Sequence, residues 1–240
     1  ARSEAQPEGQ QPGRGSAEHA ITLHWLGSCL MRIGDLEGAE ARLSDALELY
    51  RVHGATREAA HALQDLGQIH LARGNALSAI ACYEQSLLVM REIGDRWGEG
   101  FALGGLGNAY ASLGEHQRAI ELHEQRLAIV REIGDRQGEG ASLSYLGNAY
   151  ASLGEHQRAI DFYLQALAIA RELGDRGEEA RVSWSLGEAL EELGDLRGAV
   201  EAMQLRVDYE RETEDPEAEA HAARVAELRR RIEEDDTRPA

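Results

Sequence analysis

Hydrophobic residues recur along this chain with the spacing of amphipathic helices. Across residues 99–113 the apolar positions fall three or four apart, and the same spacing returns across residues 116–133. Such spacing places apolar side chains on one face of a helix. Gly114 and Gly134 lie just past the two segments, where the left-handed closing conformation is easiest for glycine. The pattern therefore predicts a helix, a tight turn, a second helix and a second tight turn.

This two-helix pattern repeats every forty residues. The fifteen residues 106–120, LGNAYASLGEHQRAI, are identical to residues 146–160. A fixed period of this length is typical of a solenoid, in which one supersecondary unit stacks on the next. Four registers carry the period, and each keeps the same step. They are the Leu-Gly pairs Leu26-Gly27, Leu66-Gly67, Leu106-Gly107, Leu146-Gly147 and Leu186-Gly187, the mid-repeat turn glycines Gly34, Gly74, Gly114, Gly154 and Gly194, the alanines Ala39, Ala79, Ala119, Ala159 and Ala199, and the end-of-repeat turn glycines Gly54, Gly94, Gly134 and Gly174, a series that Glu214 breaks.

The glycines of the Leu-Gly pairs fall in the middle of a predicted helix, where glycine costs about 1 kcal/mol relative to alanine. Five such glycines in register need a packing reason. We predict that the partner helix crosses closely there, with an alanine of the Ala119 type opposite the glycine. Residues that follow the turn glycines are predicted to cap the next helix. They are Asp35, Asn75, Asp95, Asp135, Asp175 and Asp195, with Glu115 and Glu155 as weaker caps.

The period also divides the chain. We predict a flexible leader over residues 1–16, a solenoid over 17–235 and a frayed tail over 236–240. The predicted repeats are 17–54, 55–94, 95–134, 135–174 and 175–214, followed by a capping helix at 217–234. The capping helix has a charged side, as a terminal element needs when nothing stacks beyond it. The first residue is not Met, and we expect the chain to be a piece of a larger protein.

The repeated residues resemble the tetratricopeptide pattern. In the fourth repeat they are Leu146, Gly147, Tyr150, Gly154, Ala159, Tyr163 and Ala166. The period of forty exceeds the usual length of about 34 residues, and a Gly-Asp-Arg-x-Gly-Glu-Gly turn stands where the family has proline. The chain is similar to the extended class found in Pins/LGN polarity scaffolds and in the sensor arrays of bacterial STAND signalling ATPases. This resemblance implies an all-α, right-handed solenoid of five helix pairs with a C-terminal capping helix.

Charge and composition narrow the possible partners. The formal net charge is −18, which disfavours nucleic acid and anionic membrane surfaces and favours a neutral or basic partner. No stretch has the length of a membrane span. Cys29 and Cys82 lie among apolar neighbours, and we expect both to be buried thiols in a reducing compartment. We therefore expect a cytoplasmic, bacterial protein.

Catalytic and metal-binding motifs are missing from the sequence. All 25 basic residues are arginine, so neither a phosphate-binding loop with its lysine nor a lysine Schiff base can be built. The histidines do not pair at metal-ligand spacing. We expect no enzymatic activity, no metal and no cofactor.

In the tetratricopeptide family the first helix of each pair lines the concave groove, which implies where a ligand would lie. The amides Asn108, Asn148 and Gln68 would hold a peptide backbone, as the equivalent asparagine does in the scaffolds. Apolar side chains would contact Trp97, Phe101, Tyr145 and Trp184, and Arg181 would pair with a carboxylate. Two alternatives stay open: the aromatic residues fill space between repeats, and the asparagines bond within their own helix layer.

These features predict a module that binds a protein or peptide segment, as a sensor or scaffold part of a larger signalling protein. The alternative is a spacer or a self-associating array with no ligand in the groove. We expect the chain itself to be monomeric.

Overall fold

The computed structural model describes residues 16–237, so most of the predicted leader and the last three residues lie outside the described part. Within it the regular structure consists of α-helices alone, which confirms the all-α prediction. The helices are α1 Ala17–Arg32, α2 Leu36–Val52, α3 Thr56–Ala72, α4 Ala76–Ile93, α5 Arg96–Ser112, α6 His116–Glu132, α7 Arg136–Ser152, α8 His156–Leu173, α9 Arg176–Glu192, α10 Leu196–Glu212 and α11 Ala218–Asp236. None of these helices combines the length and apolar content needed to cross a bilayer.

The chain forms two compact units, with residues up to Gly105 in unit 1 and residues from Leu106 onward in unit 2. In both units each helix packs on its neighbours along the chain, as a stack of helix pairs requires. The core of unit 1 includes Leu43, Tyr50, Leu63 and Ile69. In unit 2, one core cluster surrounds Leu143, Leu146 and Tyr163, and another surrounds Met203 and Leu228.

The turn glycines adopt the conformation that the sequence predicts. Nine of them have positive φ angles, from 68° to 83°. They are Gly34, Gly54, Gly74, Gly94, Gly114, Gly134, Gly154, Gly174 and Gly194. Glu214 stands where the next glycine of the series would fall and keeps the same left-handed backbone, with φ 55°. The turn geometry is therefore set by the repeat and persists even without glycine.

The predicted helix caps are partly confirmed. Five aspartates accept a hydrogen bond from the backbone N–H three residues on. They are Asp35, Asp95, Asp135, Asp175 and Asp195. The prediction is wrong for Asn75, whose side chain makes no such bond. Glu115 and Glu155 do not cap either, because their carboxylates pair with Arg118 and Arg158 one turn ahead.

The mid-helix glycines have a packing reason that differs from the predicted one. A Cβ on Gly147 would lie 2.5 Å from Cε1 of Tyr163, and a Cβ on Gly67 would lie 2.8 Å from Cζ of Tyr83. At the other three glycines the closest atom also belongs to the large residue of the second helix, and the alanine contributes only its backbone oxygen, at Gly27 and Gly187. Glycine is therefore needed mainly because it accommodates a bulky partner. The predicted close crossing is found at Gly27 and Gly187, but the prediction of a small side chain facing the glycine is wrong.

An ion pair recurs across the turn between consecutive repeats. An arginine near the end of one second helix contacts the glutamate eight residues later, in the first turn of the next helix. The Nε–Oε1 distance is 2.8 Å for Arg131–Glu139 and 2.7 Å for Arg171–Glu179. These arginines are half or more exposed, so each pair contributes about 1 kcal/mol or less.

Two further predictions need correction. Cys29 is exposed and Cys82 is half-buried, so neither is a core residue. The positions equivalent to Cys29 in the later repeats are buried, but α1 is the first described helix and has no described helix on that side. Helix α11 also extends to Asp236, two residues beyond the predicted end of the capping helix.

Candidate functional site

The predicted groove residues lie on the first helices of the repeats, and we call them the first-helix stripe. In unit 1 the stripe contains Gln68, Trp97 and Phe101; in unit 2 it contains Asn108, Tyr145, Asn148, Arg181 and Trp184. The two parts are described separately below.

A partly exposed aromatic cluster is the main feature of the stripe in unit 1. The rings of Trp97 and Phe101, one helical turn apart on α5, stack with centroids 5.6 Å apart. The centroid of the His61 ring of α3 lies 6.4 Å from that of Trp97. Trp97 remains 55% exposed, although tryptophan side chains are usually well covered. The cluster is therefore a ready apolar surface, and His61 is the member that the sequence prediction left out.

The amides of α3 have different environments. Gln68 is exposed, as a ligand-binding residue on the stripe must be. Gln64, one turn earlier, is buried and donates through Nε2 to the carbonyl oxygen of Gly98, with an N–O distance of 2.9 Å. It therefore joins α3 to α5 and is structural.

A histidine and an aspartate of unit 1 form a polar network that the sequence prediction missed. His24 Nε2 lies 3.0 Å from Asp65 Oδ2, and its Nδ1 lies 3.3 Å from the Tyr50 hydroxyl. Ser28 is close by, but its hydroxyl bonds to Asp65 and makes no bond to His24. Activation of a serine requires the hydroxyl to bond to the histidine. The network therefore links α1 to α3 and does not form a nucleophile.

The asparagine of the fourth repeat is held by the core. The Tyr163 hydroxyl donates to Asn148 Oδ1 over 2.7 Å. Burial, together with the nearby Glu188 carboxylate, raises the pKa of Tyr163 above its ordinary value, so the hydroxyl keeps its proton. The bond fixes the amide orientation and leaves the Nδ2 group without a hydrogen bond to the described residues. Asn148 thus bonds within its own layer and still offers two donors.

Asn108, the equivalent asparagine of the third repeat, has a different environment because the residue facing it on the second helix is different. His123 takes the place of Tyr163, and Asn108 makes no side-chain hydrogen bond to the described part of the chain. The His123 ring stacks on Tyr145, with centroids 5.0 Å apart and ring planes 11° apart. Burial, followed by the charge of Arg126, lowers the pKa of His123 to about 3. The ring is therefore neutral at physiological pH, and Tyr145 is at once a groove residue and a packing residue.

Arg181 and Trp184 are already engaged within unit 2. The Arg181 guanidinium donates to Glu178 over 2.6 Å and to the Ser144 hydroxyl over 2.9 Å. Trp184 lies against the His221 ring of α11, with centroids 4.3 Å apart, and donates through Nε1 to Glu188. A ligand carboxylate at Arg181 would compete with Glu178. Trp184 serves mainly to attach the capping helix, so the space-filling alternative describes it best.

Arg126 is a charged residue beside this stripe that the sequence prediction did not select. Its side chain is half-buried on α6, and its Nε atom is shielded from solvent with no hydrogen-bond partner. The equivalent positions in the second and fourth repeats are Ser86 and Ala166, both buried. An arginine at a small-residue register position was the signal that could have identified it.

Away from the stripe, the described residues hold one apolar pocket of note and no metal-binding cluster. An apolar pocket of about 370 Å³ in unit 1 lies among α2, α3 and α4, with Tyr50, Leu63 and Leu88 in its lining. Across residues 16–237, no group of three or more His, Cys, Asp or Glu side chains is arranged to hold a metal ion.

A protein-family model described as Tetratricopeptide repeat matches residues 18–87, 62–132 and 138–209, which together make up most of the chain. No curated protein matches the chain significantly.

Solved structures share the fold at low sequence identity. Nearly identical repeats of a putative kinesin light chain from Podospora anserina align with a TM-score of 0.68 and 19% identity, over 82% of this chain and 97% of that one. A Rap protein complexed with Competence and Sporulation Factor aligns with a TM-score of 0.73 and 15% identity, over 90% and 63%. A STAND protein with a tetratricopeptide repeat sensor from Pyrococcus horikoshii aligns with a TM-score of 0.64 and 17% identity, over 88% of this chain and 36% of that one.

Proposed function

Because the chain belongs to the tetratricopeptide repeat family, whose repeats are in general a protein-interaction module, we propose that its first-helix stripe binds a protein or peptide segment. The observation that carries this proposal is the exposed Trp97 ring, which contacts the half-buried rings of Phe101 and His61 in unit 1. Exposed aromatic residues that are held rigidly by their neighbours are the usual anchors of protein interfaces. Unit 2 contributes backbone-binding groups, because the Nδ2 group of Asn148 is oriented by Tyr163 and makes no hydrogen bond within the described part of the chain.

The similar proteins support a regulatory use of such binding. One of them is a Rap protein in a complex with a factor, and another is a STAND protein whose repeats are a sensor. We infer that this chain acts as a sensor or scaffold part of a larger signalling protein. Occupancy of the stripe would then bias an attached signalling domain.

The aromatic anchor can be tested with a displayed library of random peptides selected on the purified chain. Trp97→Ala should weaken the selected peptides about tenfold or more, as loss of a tryptophan anchor usually does. Leu77→Ala is the matched control, because Leu77 is 73% exposed on a second helix. If Trp97→Ala, Leu77→Ala and the wild type bind the selected peptides with equal affinity, the aromatic cluster is not part of the binding site.

The amides need a separate variant. Asn148→Asp keeps the oxygen that accepts from Tyr163 and removes the Nδ2 donors, so we expect Asn108→Asp with Asn148→Asp to abolish binding at nearly unchanged helicity. Asn75→Asp makes the same chemical change at an exposed turn and should bind normally. Unchanged affinity of the double variant would contradict the role of the asparagines.

A second candidate function is self-association, and α1 favours it. Leu26 is 46% exposed, whereas Leu66 and Leu146 at the equivalent positions are buried, and Trp25 beside it is 70% exposed. Light scattering over a range of concentrations separates the two functions. A concentration-independent monomer would exclude assembly through this face.

A further inference from the structure

The half-buried guanidinium of Arg126 has no anionic partner in the described part of the chain. Of the arginines there, only Arg126 and the exposed Arg32 lack a carboxylate or amide oxygen as a partner. Among residues 16–237, no carboxylate oxygen lies within 4.0 Å of the Arg126 nitrogens, and the Arg126 Nε is inaccessible to solvent. An arginine keeps its charge in a protein, and a shielded charge without a counter-ion is unfavourable.

The fifth repeat has an arginine at the equivalent position and shows which groups can neutralise its charge. Eighty residues later, Arg206 donates through Nε to Glu210 over 2.6 Å, and the other oxygen of Glu210 lies 2.7 Å from His221 Nδ1. Glu210 is buried, so the cluster forms a closed cation–anion set between α10 and α11. The cation is thus satisfied by a carboxylate one helical turn ahead.

The third repeat keeps the arginine and loses both partners. Val130 stands at the position of Glu210, and Ala141 stands at the position of His221. Both replacements are apolar, so the charge of the carboxylate is missing. The ionisable groups that interact electrostatically with Arg126 are Tyr145, Asp135 and the neutral His123. Asp135 is already engaged, since its carboxylate caps α7 through Gly138.

We propose that Arg126 is a binding site for a carboxylate carried by the ligand, an aspartate or glutamate side chain of the bound peptide. The site is next to the stripe, because Arg126 lies near Tyr145, whose ring packs on His123 of the same helix. The ligand carboxylate supplies Arg126 with the negative charge that Glu210 supplies to Arg206. Since the whole chain is strongly acidic, the ligand is neutral or basic overall and places a single acidic residue at this point. That the carboxylate belongs to a peptide rests on the proposed function; the anion site itself does not.

The test follows the side-chain Nε–H resonance of Arg126 by nuclear magnetic resonance in the full chain, assigned with Arg126→Gln. The probes are N-acetylglutamate amide, its neutral glutamine analogue and inorganic phosphate. We expect a saturable shift with the glutamate probe and at least about tenfold weaker binding of the glutamine probe, because a charge-assisted hydrogen bond is lost. A shift with phosphate alone, equal binding of both amides, or no saturable shift would overturn the proposal.

Val130→Glu restores the internal partner and provides the decisive variant. It should shift the Arg126 resonance without any probe and abolish the titration, whereas Val130→Gln should leave the titration intact. A titration that persists in Val130→Glu would contradict the site. If the displayed library yields no binding peptide but the Arg126 resonance still titrates with the glutamate probe, the anion site stands and the peptide-binding function does not. If the library yields binding peptides that contain no acidic residue, the peptide-binding function stands and Arg126 is not its carboxylate site.

Discussion

At the scale of single residues, His123 shows how the repeat adapts one position to its neighbour. The second and fourth repeats have Tyr83 and Tyr163 there. The ring of Tyr83 reaches Gly105 of the following first helix, at 2.3 Å from an ideal Cβ. Behind His123 the corresponding residue is Tyr145, which needs more room. The larger residue Tyr83 thus packs against Gly105 of the next first helix, whereas the smaller residue His123 packs against the larger Tyr145.

His123 should make the stability of the protein depend on pH. Its pKa is about 3 in the folded chain and about 6.5 when unfolded, so the unfolded state binds the extra proton between these values. The free energy of unfolding should therefore fall by up to about 1.4 kcal/mol per pH unit as the pH decreases below about 6.5. Urea unfolding at pH 7, 6 and 5 measures this slope.

His123→Leu is the control for that slope, because leucine occupies the equivalent position in the first repeat as Leu43. The variant lacks the titrating group, so its stability should change less between pH 7 and pH 5. Equal slopes for both proteins would show that His123 is not the source.

At the scale of helices and turns, the sequence specified most of the architecture and little of the pairing. The period of forty predicts the helices and the turn glycines because both are local properties. What faces Gly147 depends on Tyr163 on the next helix, and hydrophobic spacing does not report which side chain crosses an interface. For the same reason the sequence left open whether Asn148 bonds within its own helix layer, and the bond to Tyr163 became visible only in the structure.

The bulky partner of Gly147 makes this position intolerant of a methyl group. Gly147→Ala would place Cβ against the Tyr163 ring, so we expect a net loss of about 1–2 kcal/mol in the free energy of unfolding despite the better helix propensity of alanine. Gly177→Ala is the matched change, since the closest atom to its Cβ is the Tyr209 hydroxyl at 3.3 Å. It should be neutral or stabilising by up to about 1 kcal/mol. Similar thermal midpoints for the two variants would contradict this explanation.

At the scale of the whole molecule, the candidate groups are distributed differently between the units. Unit 1 has the exposed aromatic anchor, and unit 2 has the oriented amide and the unpaired arginine. The sequence singled out the aromatic residues and the amides because they lie on the predicted groove face. For Arg126 the register shows an arginine where two other repeats have Ser86 and Ala166, but whether that arginine has a partner is visible only in the structure.

A chain shortened by one repeat should still fold. Deleting residues 121–160 joins the two copies of the identical stretch and removes His123 and Tyr145 together. The contacts of Tyr83 with Gly105 and of Tyr163 with Asn148 are then kept, the latter with Asn108 in the place of Asn148. We expect circular dichroism to show the same helical content per residue and a cooperative melt. A largely unfolded product would show that folding depends on contacts within residues 121–160 that the remaining repeats do not replace.

The match between a residue and its successor in the next helix has a genetic consequence. A crossover between the coding regions of the two identical protein segments would remove or insert one whole repeat, and it would keep the contacts of Tyr83 with Gly105 and of Tyr163 with the asparagine of its layer. His123 and Tyr145 are inherited together with Arg126 and Val130, so the anion site is gained or lost as one block. Changes in copy number would therefore alter which ligands the array accepts while leaving its stacking intact.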